Sequence, residues 1–156
     1  MNKIISKEQF SEKVFKLEIE APLIAKSRRA GHFVIVRVDE KGERMPLTIA
    51  GSNLEKGTIT LVVQTVGLSS TKLCNLNEGD YVLDVVGPLG QATHIQNYGT
   101  VVCAGGGVGV APMLPIIQAL KAAGNRVISV LAGRSKDLII LENEVRASSD
   151  EVIIMT

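Results

Sequence analysis

The sequence predicts two architectures in succession: an antiparallel barrel or sandwich over residues 1–97 and a parallel α/β unit over residues 98–156. Short runs rich in Val, Ile and Thr recur at roughly ten-residue spacing in the first part, as in antiparallel β structure. Strand-like and helix-like runs alternate in the second part, which favours a parallel sheet. A glycine-rich turn joins a strand to a helix where the second part begins.

The strands predicted for the first part are bounded by Gly, Pro and Asp. They cover the run that contains Val14 to Ile19, Phe33 to Val38, Pro46 to Ile49, Thr58 to Thr65 and Tyr81 to Val86. One or two helical turns are expected between Ser69 and Leu76, and Gly87 to Gly90 is expected to be a turn.

The second part is predicted as strand 100–104, helix 112–123, strand 126–132, helix 138–147 and strand 151–155. Gly124 stands where a glycine commonly ends a helix. Three strands and two helices are half of a doubly wound domain, so we expect the nucleotide-binding unit to be truncated at residue 156.

Composition narrows the classes of partner. The 17 basic and 16 acidic residues give a net charge of +1, and with 3% aromatic residues we expect no nucleic-acid partner. No apolar run approaches the ~20 residues of a membrane span, so we expect no membrane partner either. Cys74 and Cys103 match no metal-ligand spacing, and they favour a reducing, cytoplasmic setting with Cys103 as a core residue. His32 and His94 are isolated, so no metal site is predicted.

The segment from Val101 to Pro112 carries the strongest motif. A strand, a glycine-rich turn and a helix expose backbone N–H groups and a helix N-terminus, the arrangement that binds phosphate. The third glycine of a dinucleotide fingerprint is absent, since Val110 holds its place, and the next strand ends in Gly133-Arg134-Ser135 without an acidic residue. The residues leave two interpretations open, a phosphate site or a tight turn without a ligand.

Two further segments are candidates for anion binding. Arg44 precedes Pro46 and a strand that carries Thr48, and a guanidinium can pair with a pyrophosphate. Gly67, Ser69 and Ser70 begin a short helix, which suits phosphate or merely caps the helix. A dinucleotide on each half would suit hydride transfer between two cofactors.

The order of these motifs resembles the ferredoxin–NADP⁺ reductase superfamily. Within it, the resemblance is to the electron-transfer subunits of dihydroorotate dehydrogenase, of NADH-dependent ferredoxin:NADP⁺ oxidoreductase (sulfide dehydrogenase) and of some hydrogenases. It implies a six-stranded antiparallel Greek-key barrel that binds FAD, followed by the first half of an NAD(P)-binding domain. The familiar flavin motif often has an aromatic residue where Pro46 stands, so one stacking partner of the flavin is missing here.

The resemblance also implies roles for individual residues. Arg44 would lie near the FAD phosphates, Pro46, Leu47 and Thr48 would line the isoalloxazine, and Thr48 would be the catalytic-site hydroxyl closest to N5. The other implied FAD contacts are Val63, Gln64, Val66, Gly67, Ser69 and Ser70. The implied nicotinamide-nucleotide contacts are Gly105, Gly106, Gly107, Val108, Gly109, Ala111, Pro112, Gly133, Arg134 and Ser135.

The implied function is hydride transfer between NAD(P)H and FAD. Single electrons would then pass to a [2Fe–2S] cluster, held only by the full-length protein, and to a larger oxidoreductase subunit. Two other functions stay open: a non-catalytic nucleotide-binding assembly or regulatory domain, and a stand-alone flavin reductase. The guanidinium of Arg134 could take the 2′-phosphate of NADP(H), but its presence does not decide between NAD(H) and NADP(H).

Overall fold

The computed structural model describes residues 1–156 as two β-sheets with four α-helices. The strands are β1 (Asn2–Ser11), β2 (Val14–Glu20), β3 (Phe33–Arg37), β4 (Arg44–Asn53), β5 (Thr58–Gln64), β6 (Tyr81–Val82), β7 (Asp84–Leu89), β8 (Thr100–Gly106), β9 (Arg126–Ala132) and β10 (Glu151–Met155). The helices are α1 (Pro22–Ser27), α2 (Leu68–Cys74), α3 (Val110–Ala122) and α4 (Glu142–Ala147). No helix is long and apolar enough to cross a membrane.

The first sheet is antiparallel and nearly closed into a barrel. Its strand order is β6-β1-β2-β5-β4-β3-β7, so β6 and β7 lie at opposite edges. Only Leu83 separates these two strands along the chain. The two edges must therefore meet at Leu83, which curls the sheet round on itself. The strand predicted at Tyr81 to Val86 is thus two strands, and the sheet has seven strands where six were expected.

Alternation along the strands fills the barrel. In β3, Val34 and Val36 are fully buried, while Phe33, Ile35 and Arg37 alternate with them on the outer side. Sixteen buried apolar residues form the barrel core, which sets the inner and outer face of every strand. The outer face of β4 carries the predicted residues Arg44, Pro46 and Thr48.

The second sheet is parallel, in the order β10-β9-β8, with a helix in each crossover. The crossover helix α3 packs on β8 and β9 through buried Leu114, Ile117 and Leu120. Gly124 follows α3 with φ +92°, which confirms the predicted helix-ending glycine. Cys103 is half-buried at the margin of this core rather than inside it.

One core joins the two sheets. Ala50 of β4 and Val62 of β5 belong to the same buried cluster as Val110, Ala111 and Leu114 of α3. Ile49 and Val63, their neighbours in sequence, belong to the barrel core instead. The outer side of β4 and β5 is therefore the surface on which α3 packs.

A buried asparagine fixes the connection between the sheets. Asn125, 1% exposed, accepts hydrogen bonds from the backbone N–H groups of Tyr98 and Gly99 and donates to the carbonyls of Gln96 and Leu120. All four hydrogen-bonding positions of its amide are used, which ties the connecting chain to the end of α3.

Two elements were absent from the sequence prediction. Strand β1 carries bulges between Ile4 and Ser6 and between Gln9 and Ser11, which break its two-residue alternation. Helix α1 has six residues and begins at Pro22, which is too short for a helical repeat to be visible.

Two predicted elements have different limits. The turn predicted from Gly87 is wrong, because residues 87–89 belong to β7, and a Cβ at Gly87 would lie 2.8 Å from Val34 Cγ1. The glycine thus serves close strand packing. The helix predicted at 138–147 is a 3₁₀ turn at Lys136–Leu138, then left-handed Leu141 (φ 58°), then α4.

Candidate cofactor site

The outer face of β4 presents the first set of predicted residues. Arg44, Pro46 and Thr48 alternate with Met45 and Leu47, which pack against the barrel core. Strand β3 pairs with β4, and β7 pairs with β3, so the outer face continues from β4 across these two strands. Leu47 could therefore reach a ligand on this face only through its backbone.

An apolar row crosses the face beside Thr48. Pro46 lies opposite Ile35 of β3, which lies opposite Val86 of β7. Val86 is 45% exposed although it is apolar and lies in a strand. Exposed apolar surface in a row of this kind is suited to a flat ring.

The turn after β5 forms the second set. The backbone N–H groups of Val66 and Gly67 both donate to Ser70 Oγ, at 3.0 and 3.1 Å, and this shapes the start of α2. Val66 and Leu68 are 79% and 87% exposed on either side of Gly67. Gly67 has an extended backbone (φ −166°), and a Cβ there would meet nothing within 4 Å. The fold itself therefore does not require glycine at this position.

Polar contacts bring these two segments together. Ser69 Oγ donates to Glu43 Oε2 at 3.4 Å, directly beside Arg44. Arg44 Nη1 lies 3.8 Å from Asp84 Oδ2 across the row of Arg44, Arg37 and Asp84. The predicted phosphate contacts Arg44 and Ser69 thus belong to one surface.

The two residues that precede this turn differ in accessibility. Val63 is 1% exposed in the barrel core, so its side chain cannot line the outer face. Gln64 is exposed at the end of β5. Only the backbone of Val63 is available to a ligand.

The glycine-rich segment of the parallel half lies at the carboxyl ends of β8 and β9. Gly105 and Gly106 are the last residues of β8, paired with Leu131 and Ala132, and Gly107–Gly109 forms a 3₁₀ turn that leads into α3. Ligands of open parallel sheets bind at this edge.

The glycines of this segment are needed for different reasons. A Cβ at Gly105 would lie 3.1 Å from Met113 Sδ, and one at Gly106 would lie 3.3 Å from the Ala132 carbonyl oxygen. Gly107 has φ +56°, a region that favours glycine. Gly109 has an ordinary helical φ of −64° and open space at its Cβ position. At Gly109, as at Gly67, the fold gives no reason for glycine.

The remaining predicted residues divide between core and surface. Val108 and Ala111 pack into the core shared with the barrel, whereas Pro112 is half-buried. Gly133 follows β9 and donates its N–H to the Met155 carbonyl, and Arg134 is exposed beside it.

The glycine-rich turn of the parallel half packs against the barrel. Helix α3 packs on β4, and the 3₁₀ turn at its start packs on β5. Sequence reasoning missed the carboxylates Glu43 and Asp84, because their nearness to Ser69 and Arg44 depends on strand register and on how the hairpin turn packs. The sequence shows only that both residues are negatively charged and that Glu43 precedes Arg44.

Comparison with known proteins agrees with this geometry. The sequence model of the family described as "Oxidoreductase FAD-binding domain" matches residues 2–94, which cover the whole barrel. The chain belongs to this family.

Two relatives of this chain carry names that describe electron-transfer subunits. The dihydroorotate dehydrogenase B (NAD(+)) electron transfer subunit homolog of Thermotoga maritima is 45% identical over 154 residues, 99% of this chain and 55% of its own length. The dihydroorotate dehydrogenase B (NAD(+)) electron transfer subunit of Streptococcus pneumoniae R6 is 29% identical and matched over 99% of this chain and 61% of its own length. The chain thus spans little more than half the length of these relatives.

Solved structures share the fold of this FAD-binding domain chain. The structure of the NADH-dependent reduced ferredoxin-NADP oxidoreductase superposes with a TM-score of 0.95 at 44% identity, over 99% of this chain and 56% of that one. Phthalate dioxygenase reductase superposes with a TM-score of 0.78 at 21% identity. The predicted resemblance to the ferredoxin–NADP⁺ reductase group is confirmed.

Proposed function

We propose that this chain is the flavin-binding part of an electron-transfer subunit, in which hydride passes between NAD(P)H and FAD. FAD would lie on the outer face of β4 and the nicotinamide nucleotide at the turn of Gly107–Gly109. The observation that carries the proposal is the pair of turns in which Gly67 and Gly109 have ordinary backbone angles and open Cβ positions. Glycine at such positions leaves room for a ligand to approach the backbone.

The residues present fit FAD. Arg44 supplies a planar cation for the pyrophosphate, and the start of α2 is held beside it by the contact between Ser69 and Glu43. Pro46 and Val86 offer apolar surface to a ring system, since both lie in the exposed row beside Thr48. The exposed Val66 and Leu68 flank the turn and would lose solvent contact when a cofactor is bound.

The chain's own residues act by binding and orientation. When bound, FAD supplies an acceptor for a hydride and can release the electrons one at a time. Thr48 faces the same side as Pro46, where its hydroxyl can hold a hydrogen bond to a ring nitrogen. The turn of Gly107–Gly109 would orient the nicotinamide, and packing of α3 on β4 would keep both sites at a fixed separation.

The partners of the whole protein are part of the same proposal. Electron-transfer subunits by name imply a larger oxidoreductase subunit that takes up the electrons. A [2Fe–2S] cluster would need ligands besides Cys74, which is buried, and Cys103.

The first test is the visible absorbance of the purified chain, with the flavin identified after heat release. We expect flavin bands and FAD rather than FMN. In the full-length protein, anaerobic NADH or NADPH should bleach the bound flavin. Bound FAD that neither nucleotide reduces in the full-length protein would favour a non-catalytic assembly domain, and a colourless chain that takes up no added FAD would refute the proposal. Rapid reduction of free flavin without a partner would favour a stand-alone flavin reductase.

A further inference from the structure

The hairpin turn between β3 and β4 is fastened to helix α2 by two polar contacts. Lys72 Nζ forms an ion pair with Asp39 Oδ2, and Ser69 Oγ donates to Glu43 Oε2. Ser69 and Lys72 are three residues apart, so they lie on the same face of α2. Asp39 and Glu43 stand at the two ends of the turn. The contacts therefore hold the whole turn, rather than one side chain, against the helix.

The turn is also braced from within. Asp39 Oδ1 accepts the Lys41 N–H at 3.1 Å, and the Gly42 N–H donates to the Asp39 carbonyl at 3.0 Å. Arg37 donates to the carbonyls of Glu40 and Gly42. A rigid turn transmits the position of its anchor to the residues that follow it, and Arg44 is the next residue after Glu43.

The ion pair joins two segments that would bind one ligand. Arg44 follows the turn, and Gly67 begins the helix that carries Lys72. A pyrophosphate has to meet both at once, so its affinity depends on the distance between them.

We propose that Asp39 and Lys72 are positioning residues, whose ion pair sets the spacing between Arg44 and the Gly67 turn for binding of a dinucleotide pyrophosphate. The inference rests on the proposed function, because it concerns the FAD site. Neither side chain need touch the cofactor. Each acts by keeping the chain in the conformation that binds, and a lower population of that conformation raises the apparent dissociation constant in proportion.

The sign of the effect separates positioning from simple electrostatics. A pyrophosphate is negatively charged, so removing a carboxylate nearby should tighten its binding if only the electric field matters. Asp39→Asn removes such a charge yet keeps the Oδ1 acceptor for Lys41. Positioning predicts weaker binding, the opposite result. The matched control is Glu40→Gln, which removes a charge from the same turn, where no ion pair involves Glu40.

The experiment is a titration of apoprotein with FAD, followed by flavin fluorescence, with thermal unfolding of each variant as a check on folding. Both side chains of the pair are 44% exposed, so the pair should change the affinity by no more than about fivefold. We expect Asp39→Asn to weaken FAD binding about two- to fivefold, whereas Glu40→Gln leaves it unchanged or tighter. Lys72→Met should weaken FAD binding more than Lys41→Met does.

Two further variants test the coupling. Asp39→Asn combined with Lys72→Met should bind FAD no more weakly than Lys72→Met alone, and Lys72→Arg should retain the affinity within about twofold, since it keeps the pair. If Asp39→Asn tightens binding in step with Glu40→Gln, the positioning role is overturned while the proposed function stands. If the unaltered chain takes up no FAD, both proposals fail.

Discussion

A crossed pair of alanine substitutions gives the sharpest test of the two proposed cofactor sites. Gly67→Ala and Gly109→Ala each add a methyl group where the chain itself leaves open space. Both positions have backbone angles that alanine adopts without strain. The folded chain should therefore accept both changes, and only a ligand that approaches the backbone should be affected.

The expected sizes follow from the local structure. At Gly109, in helical conformation, alanine lowers the entropy of the unfolded chain and should stabilise the protein by ~0.4–1 kcal/mol, or about 1–4 °C in Tm. At Gly67, the poorer helix cap offsets that gain, so we expect a change within about 0.5 kcal/mol. A lost charge-assisted hydrogen bond to phosphate costs ~1.5–3 kcal/mol, so the affinity of the affected nucleotide should fall about 10- to 100-fold.

The assay measures both ligands on both variants. Gly67→Ala should weaken FAD and leave the nicotinamide nucleotide unchanged in a fluorescence titration, and Gly109→Ala should do the reverse. Gly107→Ala serves as a control on stability, because its φ of +56° should cost the folded state ~1–2 kcal/mol. Retained affinity for both ligands in both variants, with Tm unchanged or raised, would show that neither turn contacts phosphate and would refute the reasoning.

Three other predictions concern single side chains. Thr48→Val keeps the shape of the side chain but removes its hydroxyl. We therefore expect flavin reduction by NAD(P)H to slow about two- to tenfold and the reduction potential of the flavin to shift. An unchanged rate and an unchanged potential would exclude a role for the hydroxyl. Asp84→Asn releases Arg44 from its carboxylate and should tighten FAD binding severalfold, whereas Arg44→Met should weaken it about tenfold or more, both by titration. Burial raises the pKa of the Cys74 thiol to about 11, so the thiol ionises first in the unfolded chain. The free energy of unfolding should therefore fall by up to about 3 kcal/mol as the pH rises from about 9 to 11, and denaturant titrations should not find this loss in Cys74→Ala.

The parallel half was predictable because its strands are apolar runs between clear breakers. Strands 126–132 and 151–155 have the predicted limits, and α3 begins two residues before the predicted helix. Strand β1 was not predictable, since its bulges shift apolar residues off the two-residue period and only Ile4 is buried. The break at Leu83 between β6 and β7, at opposite edges of the sheet, could not be predicted either, because it depends on closure of the sheet. The boundary at residue 97 and the Greek-key description stay predictions.

The candidate site could be predicted where the residue type itself indicates a backbone property, as the glycines do. It was harder to predict where a contact depends on the direction in which a side chain points. Leu47 was predicted to line the isoalloxazine and Val63 to be another FAD contact. Alternation turns both side chains towards the barrel core, so only their backbones are available to a ligand. The carboxylates Glu43 and Asp84 could not be assigned to the site, since each reaches its partner across strands or across a hairpin turn.

Alternation along β4 would also let one strand serve both proposed cofactor sites. Thr48 and Ala50 lie on the same outer face, about 7 Å apart, and Ile49 between them is locked into the barrel core. Ala50 is 3% exposed in the core that includes Val110 and Ala111 at the start of α3. Its small side chain lets the start of α3 lie close to the strand that carries Thr48. A larger residue at Ala50 would push the helix outwards and increase the distance between the two proposed cofactor sites.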